Sequence, residues 1–326
     1  MMISPNGMLS SFAAGPAILF DAKTGHVLYA EDENRLWYPA SLTKMMTAYI
    51  VFEDLRDGKI TEKEYIISSP LAHKQPPSKI GLPIGGQMSV KLALETLIVK
   101  SANDVAVMLA EKISGDFDTF VNRMNTTAKK LGMTNTRFFN PNGLPDGRQV
   151  TTARDMALLT KAIIHDFPQH AELFLQKHVR IGKKRLRSHN DLLRTYTGTD
   201  GMKTGFICAS GFNVVASASR DNTRLVAVVL GARSSLQRRK RAMKLFNHGF
   251  NYHKWKAIFT PQKLDELTQE DLRGPKNMRR RLASWSCRNR RRRTKIKKNN
   301  KKVKVNEKSK QGAEESKPQE KSKTQK

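Results

Sequence analysis

The chain contains a single Ser-x-x-Lys pattern, formed by Ser41 and Lys44, which follows Pro39 and begins a long apolar run. The run predicts a buried helix over residues 41–55, and proline is tolerated just outside a helix start. Residues three positions apart share one helix face, so the serine hydroxyl and the lysine amine are expected to point to the same place. A serine nucleophile needs such a base beside it. An ordinary helix start with a surface lysine gives the same pattern, so other motifs in the chain are needed to distinguish a catalytic pair from a helix start.

Two more short patterns follow the first. One is Ser-x-Asn, at Ser101 and Asn103, between two helical stretches, and the other is Lys-Thr-Gly, at residues 203–205, where a strand begins. The order S-x-x-K, a second serine motif and K-T-G is the catalytic set of penicillin-binding proteins and class A β-lactamases. Each pattern is weak alone, but the order and long separations within one domain make the set specific.

Two further matches to these patterns are interpreted as structural. Residues 23–25 also read Lys-Thr-Gly, but they form the predicted turn of a hairpin that precedes the nucleophile. Residues 188–190 also read Ser-x-Asn and are predicted to be a loop that enters a strand. We favour Ser101 as the second serine, because a break between two helices can direct side chains into a cleft.

The apolar patterns predict the elements that position these residues. The N-terminal part predicts a hairpin with Gly25 in its turn, and the proline-rich segment 56–90 excludes a long helix. Helices are predicted at 89–99, 105–112, 116–131, 153–165 and 233–255, and strands at 17–21, 26–30, 177–181, 202–208, 211–219 and 224–230. We therefore expect an α+β fold (an α/β sandwich), with an antiparallel sheet built from N- and C-terminal strands, flanking helices and an inserted helical cluster.

The charge of the chain predicts its division into parts. The formal net charge is +30, and residues 261–326 alone hold 23 Lys and Arg residues against eight Asp and Glu residues. We expect an N-terminal segment at 1–14 without a clear signal peptide, a folded domain at 15–258 and a disordered basic tail at 259–326. The tail would attract an anionic surface in a salt-dependent way. Only Trp285 interrupts its basic run, so no specific nucleic-acid partner is predicted.

The cysteine and histidine spacing predicts neither a metal nor a cofactor. The chain has neither C-x-x-C nor H-E-x-x-H, and its two cysteines are Cys208 and Cys287. One lies in the predicted domain and the other in the predicted tail, so we expect no disulfide between them.

Longer stretches around the three patterns resemble the D-alanyl-D-alanine carboxypeptidases, which are low-molecular-mass penicillin-binding proteins. The matching stretches are residues 21–29, 39–45, 101–104, 153–157 and 200–205. The resemblance implies a serine peptidase of the β-lactamase/transpeptidase-like fold that needs no cofactor. It implies removal of the terminal D-alanine from peptidoglycan stem peptides, acylation by β-lactam antibiotics and an extracytoplasmic location, in the periplasm or on the outer face of the cytoplasmic membrane.

The resemblance also implies the role of each catalytic residue. Ser41 would attack the peptide carbonyl, and Lys44 would take its proton. Burial and the nearby cation Lys203 would lower the pKa of Lys44 and free the amine as a base. Ser101 would relay a proton to the leaving amine, and Asn103 would hold the network between Ser101 and Lys44.

The strand at residues 203–206 would bind the substrate. Lys203 and Thr204 would hold the terminal carboxylate through a charge-assisted contact and a hydroxyl donor. Gly205 would let the substrate lie close to the strand. The backbone N–H groups of Ser41 and Phe206 would form the oxyanion hole.

Two alternative functions remain at this point. A serine β-lactamase needs a glutamate that activates the deacylating water, and the segment that begins at Glu172 matches such a motif only in part. A catalytically inactive binding protein could instead use the basic tail on anionic partners. The intact set of five polar residues argues against this second alternative: Ser41, Lys44, Ser101, Asn103 and Lys203.

Overall fold

The computed structural model describes residues 15–253, 262–267, 273–282 and 287. The chain divides into two compact units, residues 1–281 and residues 282–326, and the first contains all the elements discussed below. The predicted N-terminal segment 1–14 and most of the predicted basic tail lie outside the described residues.

The first half of the chain contains helices and short strands, and the three long strands lie within residues 199–232. The strands are β1 Ala17–Asp21, β2 Val27–Glu31, β3 Tyr65–Ile67, β4 Gln87–Ser89, β5 His178–Ile181, β6 Lys184–Arg187, β7 Thr199–Ile207, β8 Gly211–Arg220 and β9 Thr223–Ala232. The α-helices are α1 Lys44–Arg56, α2 Pro70–His73, α3 Val90–Val99, α4 Asn103–Ser114, α5 Phe117–Lys130, α6 Ala153–Asp166, α7 Ala171–Leu175, α8 Leu192–Thr195 and α9 Ser235–His253.

A five-stranded antiparallel sheet joins the two ends of the domain. Its strand order is β2-β1-β9-β8-β7, and β1 pairs with β9 through contacts such as Leu19 opposite Ala227. Side chains of a strand alternate between faces. One face therefore packs Leu19 and Val229 against Phe246 and Leu245 of α9, and the other face packs against α6. This arrangement confirms the predicted fold class.

The helical cluster lies between the first and last strands in sequence and is built around α1. Every side chain from Lys44 to Phe52 is buried, because α3, α4, α5 and α6 all pack against this helix. A helix that is enclosed on all sides cannot follow an amphipathic pattern, which explains the long apolar run in its sequence. The enclosed helix fixes the position of the Lys44 amine at its first turn.

Side-chain caps define where the surrounding helices begin. The Ser89 hydroxyl accepts from the backbone N–H of Leu92 at 3.3 Å, and Thr152 accepts from Asp155 at 3.0 Å. The Asp155 carboxylate in turn accepts from the N–H of Asn135 at 3.0 Å. Asp155 thus tethers the start of α6 to the preceding loop.

Ordered structure continues beyond the predicted end of the domain. Segment 262–267 pairs with β2 through the N–H of Val27, which donates to the Gln262 carbonyl at 2.9 Å. Leu264 and Met278 are fully buried. Residues 262–267 and 273–281, which fall in the predicted tail at 259–326, thus contain buried apolar side chains, and a few of these suffice because they fill sites on an existing domain.

Two smaller expectations are also corrected. Cys208 and Cys287 are both disulfide-bonded, whereas their positions in the sequence predict no disulfide. Residues 188–190 lead into the short helix α8 rather than a strand, because the chain must turn before β7 begins. Among the described residues, no helix combines the length and apolar character that crossing a membrane requires.

The packing of α9 on the sheet gives a test of the fold. Phe246 is fully buried and its ring stacks on Tyr196, with the ring centres 5.4 Å apart. Phe246→Ala is expected to lower the free energy of unfolding by about 3–5 kcal/mol, because it removes buried surface and leaves a cavity. Denaturant unfolding measures the loss. Leu236→Ala, at a side chain that is 46% exposed on the same helix, is the control and should change stability by less than about 0.5 kcal/mol. Equal losses in the two variants would contradict this packing.

Candidate active site

The proposed nucleophile lies in a tight turn rather than in an α-helix. Residues Ala40–Thr43 form a 3-10 helix, and α1 begins only at Lys44. Ala40 has a φ of 50°, which is a left-handed conformation that residues other than glycine rarely adopt. The turn brings the Ser41 hydroxyl, which is partly exposed, over the first turn of the buried helix.

A buried asparagine on β8 holds this turn to the sheet. The Asn213 amide donates to the Tyr38 carbonyl at 3.0 Å and to the Pro39 carbonyl at 3.2 Å. Its side-chain oxygen accepts from the N–H of Gly231 on β9 at 2.9 Å. One side chain thus satisfies three backbone groups and fixes the segment before Ser41 relative to two strands.

Two glycines let other segments approach the turn. A Cβ atom on Gly143 would overlap the Ala40 carbonyl oxygen, and Gly143 itself has a φ of 80°. A Cβ atom on Gly205 would lie 3.2 Å from the backbone nitrogen of Ser41 and 3.0 Å from the Pro39 carbonyl. Strand β7 therefore lies directly against the nucleophile, which explains the glycine of the Lys-Thr-Gly pattern.

Lys44 is fully buried beneath Ser41 and is held by neutral oxygen atoms. Its Nζ atom donates to Ser41 Oγ at 3.2 Å, to Asn103 Oδ1 at 2.8 Å and to the Asn142 carbonyl at 2.5 Å. Burial and the positive charge of Lys203 hold the pKa of Lys44 well below its usual range, and Asp104 opposes this shift. Burial and the Lys203 cation are the two causes expected from the sequence. The amine is therefore biased toward its neutral form, which can accept a proton.

Ser101 and Asn103 lie across the cleft at the break between α3 and α4. Ser101 adopts a φ of 60°, and its hydroxyl accepts from Lys203 Nζ at 2.9 Å. The Asn103 amide donates to the Pro76 carbonyl at 2.9 Å while its oxygen accepts from Lys44. The two motif residues thus contact different lysines, with Asn103 on Lys44 and Ser101 on Lys203.

Lys203 is the second buried amine of the site and is only 1% exposed. Burial is the larger cause and the charge of Arg238 the smaller one, and together they lower the pKa of Lys203 to about 7. Its Nζ atom also donates to the Thr204 carbonyl at 3.1 Å. Lys203 therefore changes charge close to neutral pH and places a cation beside Ser101 on the acidic side.

The predicted residues surround one cleft with a volume of about 520 Å³. Ser41 lies in its wall with Ser101 and Asn103 on one side and β7 on the other. The residues of β7 that line it are Thr204, Gly205, Phe206 and Ile207. The structure thus brings together all eight residues predicted from the sequence. Six of them line the cleft. The other two are Lys44 and Lys203, whose amines donate hydrogen bonds to lining residues.

Three residues of the site were not found by sequence reasoning. Asn142 holds Lys44 through its carbonyl oxygen, but its Asn-Pro-Asn-Gly context predicts only a turn. Asn213 belongs to an ordinary strand pattern. Arg238 is 6% exposed, lines the cleft and donates to the His189 carbonyl at 3.3 Å, although the sequence gives only a basic helix. Each of the three acts through a contact between segments that are distant in sequence, so local sequence patterns do not identify it.

His189 also lines the cleft, although it retains substantial solvent exposure. Partial burial and the charges of Lys203, Lys100 and Arg238 together lower its pKa to about 4. Its imidazole is therefore neutral at neutral pH. It therefore adds no positive charge to the cleft.

This arrangement suits acyl transfer. A hydroxyl lies beside an amine with a depressed pKa, a second hydroxyl contacts a second amine, and both hydroxyls open into one cleft beside a strand. Among the described residues, no cluster of three or more His, Cys, Asp or Glu side chains is placed to hold a metal ion.

Comparison with known proteins gives the same family. The sequence matches the D-alanyl-D-alanine carboxypeptidase family over residues 4–234. It is 38% identical to D-alanyl-D-alanine carboxypeptidase DacA of Haemophilus influenzae over 266 residues, which cover 80% of this chain and 67% of that protein. It is 39% identical to DacC of Escherichia coli over 242 residues, which cover 72% of this chain and 60% of that protein.

Solved structures of penicillin-binding proteins share the fold. Penicillin-binding protein 5 from Haemophilus influenzae superposes with a TM-score of 0.72 at 36% identity, covering 77% of this chain and 73% of the other. Penicillin-binding protein D2 from Listeria monocytogenes, in its cefotaxime-bound form, gives a TM-score of 0.68 at 32% identity, covering 76% of this chain and 100% of the other. This chain belongs to the D-alanyl-D-alanine carboxypeptidase family.

Proposed function

We propose that this protein is a serine D-Ala-D-Ala carboxypeptidase that removes the terminal D-alanine from peptidoglycan stem peptides. The observation that carries the proposal is the hydrogen bond of 3.2 Å between Ser41 Oγ and Lys44, an amine whose pKa is well below its usual range. A neutral amine can take the serine proton as the hydroxyl attacks. The activity of the curated relatives is transferred as a proposal, since this chain spans 60–67% of the length of the two described above.

Acylation would proceed through attack of Ser41 Oγ on the carbonyl between the last two D-alanines. The serine proton would pass to Lys44, and the N–H groups of Ser41 and Phe206 would stabilise the oxyanion. The Ser101 hydroxyl would then protonate the leaving D-alanine amine as the peptide bond breaks, and charged Lys203, which donates to Ser101 at 2.9 Å, would replace the proton that Ser101 gives away. Water would hydrolyse the resulting ester, returning Ser41 to its free form.

The carboxylate of the terminal D-alanine would lie at the end of the cleft that contains Lys203 and Thr204. In its charged form Lys203 would attract the carboxylate, and the Thr204 hydroxyl would donate a hydrogen bond. Gly205 would allow the substrate backbone to run along β7. This position would hold the scissile carbonyl over Ser41.

β-Lactams would acylate the same serine and leave slowly. The one carboxylate among the described residues that line the cleft belongs to Asp191, which pairs with Arg194 at 2.8 Å. Glu172, the partial match to a β-lactamase base, lies on α7 and does not line the cleft. Rapid deacylation by a glutamate-activated water therefore has no support, which disfavours the β-lactamase alternative.

The proposed substrate implies where the enzyme would work. Stem peptides belong to the cell wall, so the proposed location is extracytoplasmic, in the periplasm or at the outer face of the cytoplasmic membrane. An anionic surface remains the proposed partner of the basic tail, most of which lies outside the described residues.

The nucleophile is tested by Ser41→Ala. The variant should lose labelling by fluorescent penicillin and release of D-alanine from a peptide that ends in D-Ala-D-Ala, by at least about 10³-fold, because no other group forms the acyl-enzyme. The matched control is Ser235→Ala, at an exposed serine on the rim of the cleft. Its labelling should match that of the wild type.

Labelling that persists in Ser41→Ala would exclude this nucleophile. Rapid nitrocefin turnover without D-alanine release would favour the β-lactamase alternative.

The charge coupling between the two lysines is tested by Lys203→Gln. Acylation needs neutral Lys44, so its rate falls as the pH drops through the pKa of Lys44. Removing the Lys203 cation removes one cause that lowers this pKa, so the acid limb of the acylation profile should move to higher pH, by roughly one unit. Stopped-flow acylation by a chromogenic penicillin across pH gives the midpoint. An exposed lysine on α3, changed in Lys91→Gln, serves as the control. An unmoved midpoint in Lys203→Gln would refute the coupling.

The positioning role of the buried amide on β8 is tested by Asn213→Ala. The variant leaves three backbone groups without their partner. We expect acylation to slow by about 10–100-fold, since small displacements of a nucleophile reduce its rate strongly. The free energy of unfolding should fall by about 1–3 kcal/mol. Asn251→Ala, on the exposed side of α9, is the control. A stability loss with wild-type acylation would mean that Asn213 does not position Ser41.

A further inference from the structure

A strongly basic hairpin stands next to the cleft and takes no part in the chemistry proposed above. We define the basic hairpin as residues 177–187, which include β5, β6 and the turn at Gly182. The segment holds six Lys and Arg residues and no Asp or Glu. All six are exposed to solvent: Lys177, Arg180, Lys183, Lys184, Arg185 and Arg187.

The register of the hairpin places one pair of like charges opposite each other. Arg180 pairs directly with Arg185, whereas His178 pairs with Arg187 and accepts a hydrogen bond from the Arg185 guanidinium at 3.1 Å. Since these four residues alternate with Val179 and Leu186, they share one face of the ribbon. Like charges opposite each other in an antiparallel pair are destabilising, so this face is unfavourable for the isolated fold.

The cations of the hairpin lack the acidic partners that other exposed cations of the domain have. Arg148 pairs with Asp146 at 2.8 Å, and Lys112 pairs with Glu64 at 2.9 Å. Within the part of the chain that the structure describes, no carboxylate lies within ion-pair distance of a Lys or Arg of the basic hairpin. Its charge therefore remains available to an external anion.

The hairpin is continuous with the cleft. Arg187 is followed at once by Ser188 and His189, both of which line the cleft, and the N–H of Ser188 donates to the Lys177 carbonyl at 2.9 Å. An anion on the basic hairpin would thus lie beside the molecule whose peptide occupies the cleft. Guanidinium groups are suited to this contact because their planar forks bind carboxylates with two parallel hydrogen bonds.

We propose that the basic hairpin binds the acidic polymer that carries the substrate peptides, and so guides a peptide of that polymer into the cleft. The inference rests on the proposed function, because every uncleaved D-Ala-D-Ala peptide ends in a carboxylate and a polymer with many such peptides is a polyanion. While one carboxylate occupies the cleft, the carboxylates of neighbouring peptides meet the row of arginines. This contact would raise the local concentration of polymeric substrate without changing the chemistry of a single peptide.

The side chains of the hairpin favour a polymer over a membrane or a nucleic acid. Val179 is buried and Ile181 and Leu186 are half-buried, so the hairpin exposes no apolar residue that could enter a lipid interface. The segment also contains no aromatic residue for stacking on bases. The basic hairpin exposes Lys and Arg side chains along a narrow two-stranded ribbon.

The test compares polymeric with small substrate. In the full chain, the triple variant Arg180→Gln, Arg185→Gln and Arg187→Gln should release D-alanine from purified sacculi about tenfold more slowly than the wild type at low salt. It should release D-alanine from a short soluble peptide at the wild-type rate. The difference should vanish near 0.5 M salt, where the screening length is about 4 Å. The matched control removes three exposed lysines of the helical part, with Lys63→Gln, Lys129→Gln and Lys130→Gln.

Each other outcome overturns the inference. Equal losses on sacculi in the two triple variants would mean that net charge alone matters, and wild-type rates in the hairpin variant would mean that the hairpin binds no substrate polymer. A hairpin variant that loses binding to vesicles of phosphatidylglycerol and phosphatidylcholine but keeps its rate on sacculi would indicate a membrane contact instead.

Failure of the proposed function is distinguishable from failure of this inference. If the wild type releases D-alanine from neither substrate and takes no fluorescent penicillin, the proposed function is wrong. Binding to sacculi is measured separately, by pelleting the Ser41→Ala protein with and without the three arginine changes. This binding should fall about tenfold with the changes at low salt, and unchanged binding would reject the hairpin contact.

Discussion

Two buried lysines define this cleft, and neither pairs with a carboxylate among the described residues. Lys44 is fully buried and Lys203 is only 1% exposed, and their hydrogen bonds go to hydroxyl, amide and carbonyl oxygens. A carboxylate in contact with Lys44 would stabilise its charged form and remove the base. Asp104 is the acidic group that acts on Lys44, but its oxygens accept from the N–H groups of Ile80 and Gly81. The fold thus satisfies each amine while leaving it easy to deprotonate.

The rest of the architecture keeps these groups in register. The helical cluster encloses α1 and so fixes Lys44, while the sheet carries Lys203 on β7. The two halves meet at the turn before α1, where Asn213 binds the Pro39 carbonyl and Gly143 and Gly205 allow close backbone contact. A side chain at either glycine would push a segment away from Ser41. The strained φ of Ala40 is tolerated because the contacts on both sides of the turn determine its path.

The sequence predicts the elements of this fold better than its contacts. The hairpin β1–β2, the capped start of α3 and the break before α4 follow from local patterns of apolar residues, turns and caps. The three motifs indicate which segments form the cleft, and the lowered pKa of Lys44 follows from its burial and then from the charge of Lys203 nearby. Local patterns cannot assign Asn142, Asn213 or Arg238, because each acts through a contact between segments far apart in sequence. The buried Leu264 and Met278 are missed for the same reason, since a single apolar residue in a polar segment has no periodicity.

The pairing of Ser101 with Lys203, rather than with Lys44, changes the proton path that the motif order suggests. The Ser101 hydroxyl accepts from Lys203, so its own hydrogen is free to be donated toward the leaving amine. Lys44 would gain a proton from Ser41 in the same step in which Lys203, whose pKa is about 7, could replace the proton that Ser101 gives away. The cleft would then hold one ammonium group before and after acylation, first on Lys203 and then on Lys44. Because the two charges repel each other, this exchange avoids the doubly charged state that burial makes most unfavourable.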